Sequence, residues 1–186
     1  MILDRKNLPR TAMDHCHYAL KLLSKNKRTG DIENVMAHMR NNLQFQPDTI
    51  SYNYLLSAYL KTDNANGIKR TIDEMKSKDV ALDTVSNNIL IEATCKLTSP
   101  EAAEKQLKNM ESSGVKLDQY SYTPIIAAYA KNRNMTRARE LIDEMNSKGI
   151  EPGEFSYSPL LTRYAQDGDV QKAEEIFKLA PPSTFI

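Results

Sequence analysis

Two asparagines, Asn53 and Asn88, stand 35 residues apart, and two aspartates, Asp83 and Asp118, repeat at the same interval, each 30 residues after its asparagine. A carboxamide carries both hydrogen-bond donors and an acceptor, and a carboxylate only accepts. Repeated residues of these types suit recognition of a polar edge rather than bond breaking. Lys61, Lys96 and Lys131 also recur every 35 residues, and Lys25 lies 36 residues ahead of Lys61. Equal phase in equivalent elements sets these ammonium groups in a row, which suits a line of phosphates. The competing reading is four solvated helix C-termini, where cations are favoured anyway.

Other reactive residues lead nowhere. His15, Cys16 and His17 resemble a metal triplet, but helix neighbours one and two apart do not face one site, and no second ligand pair follows. The chain has no Gly-rich phosphate loop, no His-Glu-x-x-His and no nucleophile elbow. No metal, no cofactor and no catalysis are therefore expected of it. Cys16 and Cys95 read as small buried hydrophobes in a reducing compartment.

Composition limits the remaining classes. The 186 residues carry 25 Lys and Arg against 24 Asp and Glu, a formal net charge of +1, so any contact with phosphate must rest on where individual lysines sit. Residues 1–48 hold 8 basic and 5 acidic side chains and residues 154–186 hold 3 and 5, so such contact should weaken towards the C-terminal end. A mean hydropathy of -0.56 and the lack of a long apolar run leave nothing to span a membrane.

The elements that position these residues follow from an internal period. Thr49-Ile50-Ser51-Tyr52-Asn53 aligns with segments beginning at Thr84, Gln119 and Glu154, four starts at 35-residue intervals. Within each unit, apolar residues recur at i, i+3, i+4 and i+7, the signature of one helix face. The first stripe is Tyr52, Leu55, Leu56, Tyr59, with counterparts at Asn87, Leu90, Ile91, Thr94, at Tyr122, Ile125, Ile126, Tyr129 and at Tyr157, Leu160, Leu161, Tyr164. The second runs through Ile68 to Met75, Ala103 to Met110, Ala138 to Met145 and Ala173, Ile176, Phe177, Ala180, with an earlier copy at Ile32, Val35, Met36, Met39. Ser51, Ser86, Ser121 and Ser156 are expected to cap the first helices, and Pro124 and Pro159 to fall in tolerated first turns. Asn64, Ser99, Asn134 and Asp169 are expected to cap the second helices, which close at Gly114 and Gly149, with Asp79 in that place in the second unit. One helix pair cannot bury its own apolar face, so the pairs must stack. The expected fold is all-α, a right-handed α-solenoid of about five helix-turn-helix repeats at 13–48, 49–83, 84–118, 119–153 and 154–180, between an N-terminal segment 1–12 and a tail 181–186. The last repeat leaves an apolar edge, where further repeats or self-association are expected.

A 35-residue helical period with Tyr in the first helix, Met late in the second and a closing Gly149-Ile150-Glu151-Pro152-Gly153 resembles the pentatricopeptide repeat family over roughly residues 13–180. The resemblance implies binding of single-stranded RNA at about one base per repeat. It implies base reading by Asn53 with Asp83, Asn88 with Asp118, Thr123 with Gly153, and Ser158 without a partner. The Asn and Asp pairs imply uracil and Thr123 leans towards a purine; His17 and Asp48 match these places across the irregular first unit. Ile50, Val85, Tyr120 and Phe155 match the residues that sandwich bases, against the alternative that they complete the core. Organelle residence and a role in RNA processing are further family implications, as is a place within a larger enzyme, like the protein-only RNase P relatives. A protein-interaction scaffold is the competing class, since stacked helix pairs make surfaces for peptides equally well.

Overall fold

The computed structural model describes residues 8–180. Ten α-helices run through them: α1 (Leu8–Lys25), α2 (Thr29–Asn41), α3 (Thr49–Lys61), α4 (Ala65–Ser77), α5 (Thr84–Leu97), α6 (Pro100–Ser112), α7 (Gln119–Lys131), α8 (Met135–Ser147), α9 (Glu154–Asp167) and α10 (Val170–Leu179). The fold is an all-α helical-repeat architecture, and α1 already begins ahead of the repeat start expected at residue 13. Residues 181–186, expected as a tail, lie outside the described residues, as do residues 1–7 of the expected N-terminal segment. No described helix is long and apolar enough to cross a membrane.

The chain forms two compact units, Met1–Ile89 and Leu90–Ile186. In the first, α1 packs on α2 and α3, and α3 packs on α2 and α4. The stripes meet as predicted: Ile32, Met39, Tyr52, Leu56 and Met75 are fully enclosed, and Leu20 of α1, outside the predicted stripes, is enclosed with them. Burying each such side chain contributes about 1.5–3 kcal/mol, more than local helix propensity provides. In the second unit, α7 packs on α6, α8 and α9, and α9 on α10 and α8. Its core joins Leu107, Tyr122, Ile125, Ile126, Leu141, Met145 and Leu160. Phe177 departs from its expected place in the core stripe and is 58% exposed; α10 closes its packing with Ile176 and Ala180 instead.

The buried tyrosines have a polar end that must be satisfied. Tyr52 Oη on α3 donates to Glu74 Oε1 on α4 at 2.9 Å, and Arg40 and Lys78 pair with the same carboxylate. Tyr122 on α7 repeats the arrangement with Glu144 on α8 and Lys148. Burial, then the hydrogen bond to Glu74, pushes the Tyr52 hydroxyl up to about 12, so it remains a donor throughout the physiological range. Each tyrosine fills the core with its ring and ties two helices together with its hydroxyl.

The helix ends correct one expectation. The first-helix caps are Asp48 for α3 and Asp118 for α7, whose side chains accept from the backbone N–H of Ser51 and Ser121; Asp83 accepts from Ser86 N at 2.8 Å in the same way. The serines lie one turn inside the helices and are completely buried. In an Asp-x-x-Ser segment both side chains can cap, and the ionised carboxylate is the stronger acceptor. Pro124 and Pro159 also sit deeper than expected, as the sixth residues of α7 and α9, so each removes an N–H that the carbonyl four residues back would have used. The second-helix caps form as expected: Asn64, Ser99, Asn134 and Asp169 each accept from a first-turn N–H. Gly114 and Gly149 take the left-handed conformation at φ 74° and 70°, and Asp79 takes it at φ 55° without a glycine's freedom.

Gly67 is required for space. A Cβ placed there would lie 2.5 Å from Tyr59 Cδ1, against a ring held by its hydrogen bond to Glu33. Gly67→Ala is expected to displace the ring at a cost of about 1–3 kcal/mol. Thermal unfolding followed by circular dichroism should show a drop of several degrees, and an unchanged Tm would contradict this packing.

Candidate nucleic-acid interface

A second stripe runs along each first helix beside the core stripe. On α3 it is Ile50, Asn53, Ser57 and Lys61, at spacings of three, four and four that keep one helix face. The same register gives Val85, Asn88, Glu92 and Lys96 on α5, Tyr120, Thr123, Ala127 and Lys131 on α7, and Phe155, Ser158, Thr162 and Gln166 on α9. The four apolar leaders are exposed: Ile50 by 48%, Val85 by 52%, Tyr120 by 57% and Phe155 by 60%. None of the four is enclosed in the core; the residues two places later, Tyr52, Asn87, Tyr122 and Tyr157, are buried instead.

The asparagine and aspartate expected to act together do meet. Asn53 Nδ2 donates to both oxygens of Asp83 at 3.1 Å, and Ser86 Oγ lies 2.6 Å from Asn53 Oδ1 and 2.9 Å from Asp83 Oδ1. A carboxylate only accepts, so it fixes the amide with nitrogen towards Asp83. Asp83 thus serves twice, holding the N-terminus of α5 and orienting Asn53. The first unit contains the same construction: His17 Nε2 lies 2.9 Å from Asp48 Oδ1, which also accepts from Ser51 N and Ser51 Oγ at 2.9 Å. The serine's part was not legible from the sequence, where its spacing pointed to a cap alone.

Thr123 and Ser158 differ in kind. Thr123 Oγ1 donates to Gln119 O at 2.8 Å and Ser158 Oγ to Glu154 O at 2.7 Å. A hydroxyl whose proton is given to its own helix has only lone pairs left for a ligand. Gly153 caps α9 with no side-chain hydrogen bond. In the second unit the stripes of α7 and α9 line a groove of about 500 Å³ that takes in Thr123, Lys131, Phe155 and Ser158. Arg163, which sequence spacing did not single out, lines the same groove one turn before Gln166 and pairs with Asp167.

The lysine row is exposed, but its members differ. Lys61 Nζ donates to Ser24 O at 3.2 Å. Lys96 is paired with Glu92 at 3.0 Å, so the third repeat carries an acid in the middle of its stripe. Lys25 and Lys131 are exposed at the ends of α1 and α7. No group of three metal-ligating side chains converges among the described residues. Burial, then Glu92, pushes the Cys95 thiol up to about 12, which keeps it protonated and poorly nucleophilic.

Burial alone raises the Asp48 carboxyl, but the Ser51 N–H, the Ser51 hydroxyl and His17 outweigh it and hold Asp48 below the ordinary 3.8. A folded value below the unfolded one stabilises the fold above the unfolded value, and that stability is lost as pH falls through the folded value. Asp48→Asn is therefore expected to lower the Tm near neutral pH and to flatten its decline below about pH 4. Thermal scans across that range test this; an acid limb identical to the wild type's would show that Asp48 is not a source of it.

Residues 47–96 match the model of the PPR repeat family, and residues 105–161 and 140–180 match that of the pentatricopeptide repeat domain. No curated protein sequence matches the chain. Among solved structures, the chain is similar to the pentatricopeptide repeat protein PPR10 in complex with an 18-nt psaJ RNA element, with a TM-score of 0.75 and 24% identity over 88% of this chain and 24% of that one. It is also similar to the PPR domain of Arabidopsis thaliana protein-only RNase P 1 in complex with tRNA, with a TM-score of 0.65 and 19% identity over 90% of this chain and 91% of that one. The nuclear proteinaceous RNase P 2 of A. thaliana follows at a TM-score of 0.61 and 17% identity, covering 88% of this chain and 36% of that one. The chain thus spans about a quarter of the length of PPR10. At these identities the likeness is one of fold.

Proposed function

The chain belongs to the pentatricopeptide repeat family, and on that premise we propose that it is a single-stranded RNA-binding module that reads about one base per repeat and acts in RNA processing or stability. The observation that carries this reading is the Asn53, Asp83 and Ser86 cluster beside exposed Ile50 and Val85: an oriented amide next to apolar faces on which a base can lie. Asn53 with Asp83 and Asn88 with Asp118 select uracil. Thr123 and Ser158 add weaker selection, while Tyr120 and Phe155 contribute stacking that tolerates any base. Lys25, Lys61, Lys96 and Lys131 follow the phosphates, and binding falls with salt. In this reading the chain binds and presents RNA, with no catalytic role of its own.

Fluorescence-anisotropy titration of labelled strands of roughly 8–12 nucleotides, U-rich against A-rich RNA at two salt concentrations, tests the reading directly. Each reading pair is expected to give about 1–3 kcal/mol of discrimination, so Asn53→Ala with Asn88→Ala should erase most of the uracil preference. Equal affinity of wild type for both strands, or an unchanged preference in the double variant, would sink the uracil assignment. No binding to any strand at low salt would leave a protein-interaction scaffold as the better account.

Glu92 offers an opposite test, because its carboxylate neutralises Lys96 within the proposed path of the phosphates. Glu92→Gln is expected to tighten RNA binding several-fold and to steepen its salt dependence by about one phosphate contact. Weaker or unchanged binding would place the phosphates away from this face of α5.

A further inference from the structure

The fourth repeat lacks an acidic partner for its reading residue, because glycine stands at position 153. The space is not vacant. A Cβ placed on Gly153 would lie 3.0 Å from Gln119 Oε1, so the carboxamide of Gln119 reaches the neighbourhood that a side chain at 153 would occupy. Gln119 precedes Thr123 by one turn of α7, which puts both side chains on the same helix face. It is half-buried and, with Gly153, lines a groove of about 570 Å³.

The two side chains have complementary capacities. The Thr123 proton is committed to the Gln119 backbone carbonyl at 2.8 Å, so the hydroxyl presents lone pairs only. The Gln119 amide presents one acceptor and N–H donors side by side. Two acceptors and a donor on one helix face match an exocyclic amino group beside an acceptor, which adenine, cytosine and guanine each present. Uracil has no amino group and turns carbonyl oxygens towards the lone pairs.

We propose that Gln119 is a specificity-determining residue of the fourth repeat, taking the place left by Gly153 and, together with Thr123, selecting an amino base. Adenine, cytosine and guanine each carry that group, and uracil does not. This rests on the RNA-binding reading above and assigns the fourth repeat a preference that the Thr and Gly pair alone does not supply.

The test uses the full chain and RNA strands that carry a UU dinucleotide with each flanking nucleotide varied in turn through all four bases, titrated by anisotropy. At one flank the wild type is expected to bind adenine, cytosine and guanine about tenfold more tightly than uracil. Gln119→Ala should bring the four bases within about twofold there while leaving the UU preference and the Tm unchanged. Gln119→Glu, which keeps the shape but removes the N–H donor, should bring adenine and cytosine down to the level of uracil. A wild-type preference that survives both variants, or a favoured uracil at that flank, overturns the inference while the UU preference keeps the RNA reading intact. Absence of wild-type binding to every strand removes both together.

Discussion

The arrangement turns on one carboxylate used twice. At the start of a first helix, an aspartate accepts the N–H of the serine three residues on, meeting a backbone donor that has no partner within the helix. The same group then holds a polar side chain from the preceding repeat, Asn53 in the case of Asp83 and His17 in the case of Asp48. Folding and presentation therefore share an atom. The Asn53 amide cannot turn without giving up a charge-assisted hydrogen bond to the capping carboxylate. A side chain held in this way before any ligand arrives has little entropy left to lose on binding.

Around this point each first helix divides its surface between two neighbouring stripes. Tyr52, Leu55, Leu56 and Tyr59 face the core, while Ile50, Asn53, Ser57 and Lys61 run beside them. The tyrosine is what separates the two. Its ring fills the core and its hydroxyl is tied to a glutamate on the second helix, so the apolar residue two places earlier has no room inside and turns outward. Exposure of Ile50 and Tyr120 is thus a consequence of packing; Val85 is exposed in the same register beside buried Asn87, and Phe155 beside buried Tyr157.

Much of this was legible in the residues because a repeat samples one geometry several times. The period of 35, both apolar stripes and the second-helix caps follow from phase, while the meeting of Asn53 with Asp83 is implied by the family resemblance. What phase leaves open is competition between two groups able to do the same job. Asp48 and Ser51 are both competent caps, and only three-dimensional placement shows the carboxylate taking the N–H while the serine goes under cover. The tyrosine–glutamate ties span 22 residues and look like solvated surface charge in one dimension. Phe177 fits the stripe by spacing, but α10 is short and has no later described helix to pack on, so only Ile176 and Ala180 are covered.

The repeats also trade one kind of contact for another along the chain. Where the reader is an oriented amide, at Asn53, the exposed leaders on either side are aliphatic Ile50 and Val85. Where the readers are hydroxyls already committed to their own helix, Thr123 and Ser158, the leaders are aromatic Tyr120 and Phe155. Base stacking on an aromatic side chain is worth about 1–3 kcal/mol and is nearly blind to sequence, whereas an amide pair contributes a similar amount mainly as discrimination. On the proposed RNA-binding reading, the early and late repeats would hold a strand by different means, selection early and adhesion late. The local charge changes in the same direction, from +3 over residues 1–48 to -2 over residues 154–186, so on that reading the exposed Phe155 ring stands where phosphate attraction would be weakest.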